Sequence, residues 1–320
     1  LQQLVFGRDN TIIESGRAAT SQTPGGTGAL RVAADFIQNH LPKATIWISN
    51  PSWANHRQIF ESAGLTVKSY RYYDSDNKSL DIDGLIDDLH MIPKEDVVLF
   101  HACCHNPTGV DPSFDQWQSI LEVTQQKGFL PLFDMAYQGF AQGLDEDAAA
   151  VRLFAENIPE MLLASSFSKN FGLYNERIGA LTLLAETSDA AKTAFSQIKI
   201  CIRTNFSNPP AHGGLLVSTI LENDKLTQSW QDELTAMRKH INQTRKTFTN
   251  ALTKAIPGKD FSFIEQQNGM FSFSGLNKDQ VKRLIEEFGI YIVGSGRINV
   301  AGITSSNLDY IVNAIAKVSD

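Results

Sequence analysis

Met161-Leu162-Leu163-Ala164-Ser165-Ser166-Phe167-Ser168-Lys169-Asn170-Phe171-Gly172 runs from an apolar stretch into hydroxyls and a lysine, with Arg177 eight residues beyond that lysine. The apolar start reads as a buried strand. A lysine at a strand end, among anion-binding groups, is a candidate Schiff-base nucleophile for a phosphate-bearing aldehyde cofactor. By itself the same lysine reads more readily as a surface residue in a serine-rich loop. The surrounding chain decides between the two.

Outward from this segment, short apolar runs alternate with longer helical patterns, the signature of a parallel α/β sheet. Strands are predicted over 45–49, 65–70, 97–102, 129–134, 161–166 and 178–184. Helices are predicted near 28–40, 53–63, 82–91, 113–127, 148–157 and 188–201. Val97-Val98-Leu99-Phe100 is continuously apolar, as strands covered on both faces are. A long polar helical pattern over about 224–255 bridges to a second unit. Beyond Pro257-Gly258, strands are predicted over 261–263, 270–273 and 298–300 and a helix over 278–288, so this part reads as a smaller α+β unit.

Composition narrows the function. The 320 residues are 42% hydrophobic, enough for a large core. Net charge is −7 without a basic stripe, which disfavours nucleic acid and anionic membranes as partners. No apolar run reaches the roughly 20 residues of a membrane helix. Three cysteines, Cys103, Cys104 and Cys201, make a poor disulfide framework and fit a reducing compartment, hence the cytoplasm. His101, Cys103, Cys104 and His105 lack the spacing of a zinc site, and adjacent cysteines on a strand point to opposite faces, so no metal is expected.

Polar residues recur just after the predicted strands, at the edge where open parallel sheets bind ligands. Gly25-Gly26-Thr27-Gly28 precedes a helix and lets backbone N–H groups approach a phosphate, or serves as turn and cap. It is neither G-x-G-x-x-G nor a P-loop. Asp134 can keep a pyridine nitrogen protonated, or cap a helix. Asn106 can donate to a phenolate oxygen, although Asn106-Pro107-Thr108-Gly109 is also ordinary turn chemistry. Trp53 can stack on a ring or fill core. Arg203 and Arg297 suit two carboxylates, although by themselves they read more readily as solvated surface residues. Ser166-Phe167-Ser168-Lys169 and Ser75-Asp76-Asn77 match motifs of penicillin-recognising serine enzymes, but their order is reversed and no K-T-G follows.

Eight ordered segments together resemble the aspartate/aromatic aminotransferase family, fold type I of the pyridoxal-phosphate enzymes. They are QTPGGTGALR (22–31), SNPSWANH (49–56), FHACCHNPTGVDP (100–112), PLFDMAYQGF (131–140), ASSFSKNFGLYNERIGAL (164–181), SNPPAHG (207–213), QNGMFSFSGL (267–276) and SGRINVAG (295–302). The resemblance implies a mostly parallel seven-stranded sheet with helices on both faces. It implies a large pyridoxal 5'-phosphate-binding domain over 1–236 and a small C-terminal domain over 237–320.

The resemblance also implies residue roles. Lys169 anchors the cofactor and shuttles the proton. Asp134 pairs with the pyridine nitrogen, backed by His56. Asn106 and Tyr137 bond the phenolate oxygen, and Trp53 stacks on the ring. Gly25, Gly26, Thr27, Ser166, Ser168 and Arg177 form the phosphate site. Arg297 takes the α-carboxylate, and Arg203, from the other subunit of a homodimer, takes the distal one. Trp53 and Asn106 also face the substrate. The implied reaction is ping-pong amino transfer between aspartate or glutamate and the 2-oxo acids oxaloacetate and 2-oxoglutarate. Thr27 and Asn208 resemble the aspartate-preferring branch. An aromatic aminotransferase is the alternative within the family, and a truncated non-catalytic homologue the alternative outside it. Family members carry roughly 75–80 further residues before the position of Leu1. That segment is expected to supply the N-terminal part of the small domain.

Overall fold

The computed structural model describes residues 1–319. Two short helices, α1 (Gln2–Phe6) and α2 (Thr11–Glu14), lead into β1 (Ala18–Pro24), α3 (Gly25–His40), β2 (Thr45–Asn50), α4 (Ala54–Ser62) and β3 (Thr66–Arg71). A small hairpin, β4 (Tyr73–Asp74) with β5 (Ser79–Leu80), precedes α5 (Ile82–His90), β6 (Val97–His101), α6 (Phe114–Lys127), β7 (Leu130–Met135), α7 (Ala149–Asn157), β8 (Met161–Ser166) and β9 (Ile178–Leu184). Then come α8 (Ser188–Asn205), α9 (Ala211–Leu221), α10 (Asp224–Ala255), α11 (Ser262–Glu265), β10 (Phe271–Phe273), α12 (Lys278–Phe288), β11 (Arg297–Asn299) and α13 (Leu308–Ser319). Among the described residues, no helix is long and apolar enough to cross a membrane.

The main sheet has seven strands in the order β1-β9-β8-β7-β6-β2-β3. All pairings are parallel except those of β9, which is antiparallel to both β1 and β8. The apolar strands alternate between two cores. Val98, Phe100, Phe133 and Leu163 face a core with Trp117 and Phe154, while Val97, Leu99, Leu132 and Leu162 face another with Ala33 and Ile37 of α3. Helices therefore cover both faces, and the continuous apolar character of β6 has its reason. The C-terminal residues build a third core, in which Phe248 and Leu252 of α10 meet Val281, Leu284 and Ile315.

Local chemistry sets the ends of the elements. Ser113 and Gln116 form a reciprocal capping box at the start of α6, which stops at Gly128 with φ 70°. Asn277, Gln280 and Gly289 do the same for α12.

The structure adds elements the sequence reading did not predict, α9 and α13 the longest of them, and three further differences have a local reason. β1 was not among the predicted strands, because Ala18-Ala19-Thr20-Ser21-Gln22-Thr23-Pro24 is small and polar and ends in proline. It is an edge strand, paired on one side only, where such composition is tolerated. Residues 261–263, predicted as a strand from Phe-Ser-Phe alternation, instead open α11. Asp260 Oδ1 accepts from Ser262 N at 2.8 Å, and the buried pair Phe261 and Ile264 has helical spacing. Finally, α3 begins at Gly25 rather than residue 28, with consequences for the site.

Candidate active site

Every parallel strand near the sheet centre ends at one edge, and the side chains that follow them meet there. Trp53 follows β2, His101 ends β6 with Asn106 five residues on, Asp134 and Tyr137 lie at the end of β7, and Lys169 follows β8. The register places His101 beside Asp134, and Ser166 beside Gly179. Because β9 runs the opposite way, its first residue lies at this same edge, which brings Arg177 in. β1 ends there too, with Pro24 beside Ile178, and hands the chain to α3. These elements enclose a cavity of about 240 Å³.

Lys169 projects into this cavity, with its Nζ 4.6 Å from the centre of the Tyr137 ring. Burial lowers its pKa below the usual lysine value; Arg177 acts in the same sense and Asp134 opposes it. Asp134 lies deeper, 2.9 Å from His56 Nε2. Burial pushes the Asp134 carboxyl up, but the His56 hydrogen bond and nearby Lys169 outweigh it and hold the carboxyl below its ordinary value. With the carboxylate ionised, His56 Nε2 donates to it, and His56 Nδ1 is hydrogen-bonded to Ser52 Oγ at 2.9 Å. Although His56, His101 and Asp134 lie within 4.8 Å of one another, both His56 nitrogens are engaged by Ser52 and Asp134, and His101 takes no part in that hydrogen-bonded chain.

At the other end, the first turn of α3 faces Arg177 and two serines. No side chain caps α3, so its first N–H groups are free to bind an anion at the positive end of the helix dipole. A Cβ at Gly25, where φ is +74°, would occupy the place of the Arg177 guanidinium, and one at Gly26 would lie 3.0 Å from Ser166 Cβ. Ser166 Oγ donates to Ser168 Oγ at 3.1 Å. Arg177 donates to the carbonyls of Tyr174 at 2.9 Å and Pro24 at 3.3 Å.

Arg297 comes from β11. Its guanidinium lies 4.4 Å from the centre of the Phe271 ring and donates to Asn106 Oδ1 at 2.9 Å. The Asn106 amide nitrogen is thereby turned to serve as a donor. Trp53 meets His56 edge to face at 5.2 Å.

Gly26, Thr27, Trp53, Asn106, Asp134, Tyr137, Ser166, Ser168, Lys169, Arg177 and Arg297 all line the cavity; Gly25 backs Arg177 and His56 backs Asp134. Arg203 does not join them. It is exposed on α8, donating to Ser207 Oγ at 2.9 Å. The sequence reading missed Tyr174, Phe271 and His101 as cavity residues. His101 had a usable signal, as a polar residue ending an all-apolar strand. Burial lowers its pKa to about 3, so the ring is neutral, and neither ring nitrogen has a partner among the described residues.

One premise fails. Cys103 and Cys104 lie beyond the end of β6, and Cys104 has φ 51°, so the strand alternation expected of them is lost. Their sulfurs and an Asp147 oxygen lie within 4.8 Å of one another.

The residues present fit pyridoxal phosphate. An amine, an ionised carboxylate on one side of it and an uncapped helix terminus with an arginine on the other match an aldehyde, a pyridine nitrogen and a phosphate. Fold and site together define a pyridoxal-phosphate enzyme built on a doubly wound sheet.

The chain belongs to the class I and II aminotransferases, whose family model matches residues 1–315. It is 56% identical over 317 residues to the aspartate aminotransferase of Escherichia coli (strain K12), covering 99% of this chain and 80% of that protein. It is 46% identical over 318 residues to the aromatic-amino-acid aminotransferase of Pseudomonas aeruginosa, with 99% and 79% covered. The crystal structure of the Burkholderia pseudomallei aromatic-amino-acid aminotransferase, covalently bound to pyridoxal phosphate, superposes with a TM-score of 0.98 at 47% identity, over all of this chain and 80% of that one.

Proposed function

We propose that this chain is a pyridoxal 5'-phosphate-dependent aminotransferase moving an amino group between aspartate or glutamate and the 2-oxo acids oxaloacetate and 2-oxoglutarate. The observation that carries the reading is a single lysine of lowered pKa between the Asp134–His56 pair and the uncapped start of α3. When bound, pyridoxal phosphate supplies an aldehyde for the amine and a protonated ring that withdraws electrons from the substrate Cα. Lys169 Nζ would hold the cofactor at its aldehyde carbon and would serve as the base for the substrate Cα proton. Its lowered pKa keeps more of the amine neutral and basic near pH 7. Asp134, oriented by His56, holds a proton at the ring nitrogen. Asn106 and Tyr137 donate to the phenolic oxygen, and Trp53 covers the ring. Gly26, Thr27, Ser166, Ser168 and Arg177 bind the phosphate, with Gly25 leaving room for the arginine.

Arg297 takes the α-carboxylate of the substrate. The family resemblance assigns Arg203 to the distal carboxylate of a second copy's substrate, and its exposed position away from the cavity of its own protomer is compatible with that role. This assignment makes the functional unit a homodimer. The cofactor is held by residues 1–236, with residues 237–320 as the smaller unit that brings Arg297. Free Cys103, Cys104 and Cys201 support a cytoplasmic location.

Incubation with pyridoxal phosphate followed by borohydride reduction tests the central claim. A single adduct on Lys169, lost in Lys169→Ala, is expected; a reduced adduct on another lysine overturns it. Arg203→Ala tests the substrate reading, with kcat/KM expected to fall for aspartate and not for phenylalanine. The 46% identity to an aromatic-amino-acid aminotransferase is the observation favouring the alternative, and equal losses for both substrates would support it.

A further inference from the structure

A second cavity, of about 440 Å³, lies behind the β6–α6 connection, lined by Cys103, Asp111, Trp117, Asp147 and Asn268 among others. Cys103 and Cys104 are free and buried at 5% and 4% exposure. Their convergence follows from the backbone. After β6 ends, the left-handed φ of Cys104 removes the strand alternation, and Asp111 secures the turn by accepting from Cys104 N and His105 N, both at 2.8 Å. Gly269 packs against Cys104, with its Cβ position 2.6 Å from Cys104 Cβ, so the approach is from the cavity past Cys103.

The third member of the cluster is not a donor. Asp147 accepts from the N–H groups of Gly139 and Ala141 on one oxygen and of Gln142 and Gly143 on the other. The protein therefore offers two sulfur ligands and no more. That count is too small for a tetrahedral zinc site, which takes four. It suits a centre that needs two thiolates and carries its own third substituent.

We propose that Cys103 and Cys104 form a dithiol site that captures monosubstituted trivalent arsenicals. In the capture of R–As=O, two As–S bonds form, the arsenic–oxygen bonds break, and the two thiol protons leave with the oxygen as water. Arsenic stays trivalent, so no oxidant or reductant is required. The hydrogen bond with Cys104 and burial raise the Cys103 thiol, and burial pushes Cys104 up to about 11. Little thiolate is present to meet oxidants or alkylating agents, whereas the condensation carries both thiol protons away with the oxygen. A cavity of ~150 Å³ already admits a benzene ring, so the phenyl group of phenylarsine oxide fits beside Cys103.

The test is one equivalent of phenylarsine oxide added to the folded chain. The intact mass is expected to rise by the reagent less one water, and the thiols titrated after unfolding in urea to fall from three to one. The adduct should vanish in Cys103→Ala and in Cys104→Ala and persist in Cys201→Ala. It should be reversed by 2,3-dimercaptopropanol and not by an equal thiol concentration of 2-mercaptoethanol. Tryptic mapping of the untouched chain locates the arsenic independently of the variants, in the peptide spanning residues 95–127. An unchanged mass with three thiols titrating after unfolding, or an adduct surviving either single substitution, overturns the proposal.

Discussion

Replacing His56 with phenylalanine removes the hydrogen bond to a carboxylate that is itself buried. His56 is fully buried, Asp134 is 7% exposed, and the two meet at 2.9 Å. A hydrogen bond to a charged group contributes about 1.5–3 kcal/mol, and an orphaned buried charge costs about 3–5 kcal/mol. Lys169 remains nearby, so we expect a loss of about 2–3 kcal/mol at pH 8.

The pH dependence separates this from simple loss of packing. In the native chain the Asp134 carboxyl is held below its unfolded value. Its stabilising contribution is then present above the unfolded pKa and lost as pH falls through the folded one. In His56→Phe burial dominates and the folded pKa rises above the unfolded value. Asp134 then destabilises at neutral pH, and protonation relieves it on acidification. The deficit should therefore shrink between pH 8 and pH 5 in urea unfolding of the cofactor-free chain. A deficit constant across that range would refute the reasoning.

Arg177→Ala should weaken pyridoxal phosphate binding about 10- to 150-fold, from about 1.5–3 kcal/mol of charge-assisted hydrogen bonding, while pyridoxal, which lacks the phosphate, binds unchanged by absorbance titration. Gly25→Ala combines a left-handed φ of 74° with displacement of the Arg177 guanidinium. It should lower phosphate-dependent affinity by about tenfold and stability by about 1–2 kcal/mol in the same titration and in urea unfolding. Arg245, 2% exposed on α10, donates to the Gly269 carbonyl, to Ser272 Oγ at 3.4 Å and to Asn242 Oδ1 at 2.9 Å. Arg245→Met leaves those acceptors unmatched and should cost about 1–3 kcal/mol in urea unfolding. A gain in stability would show that desolvating the guanidinium outweighs its hydrogen bonds.

Most of the architecture was legible because periodicity is a local signal. The run Val97-Val98-Leu99-Phe100 is apolar at every position because helices cover both faces of β6, and α10 was visible in full as an unbroken polar helical pattern. The elements that escaped carry their reasons elsewhere in the chain. β1 is polar because an edge strand needs little burial. Residues 261–263 alternate like a strand, yet they enter a helical turn, with Asp260 Oδ1 accepting from Ser262 N.

The site divides the same way. Lys169, Asp134, Asn106, Tyr137 and Arg297 were identifiable from residue chemistry and from the resemblance of their motifs, which local sequence carries. Which of them meet is a property of topology. Parallel strands align their carboxyl ends at one edge, and the reversed β9 and the edge strand β1 deliver Arg177 and the start of α3 there. Gly25 to Gly28 proved to be the first helical turn itself, so the anion-binding groups are the uncapped N–H groups of α3. The sequence by itself determined the chemical inventory and the alternation of strands and helices, since both depend on residues near one another in the chain. Tertiary structure alone decided that Arg203 faces away from the cavity and that Cys103 and Cys104 converge. Each of those outcomes turns on backbone direction and burial set by residues far away along the chain.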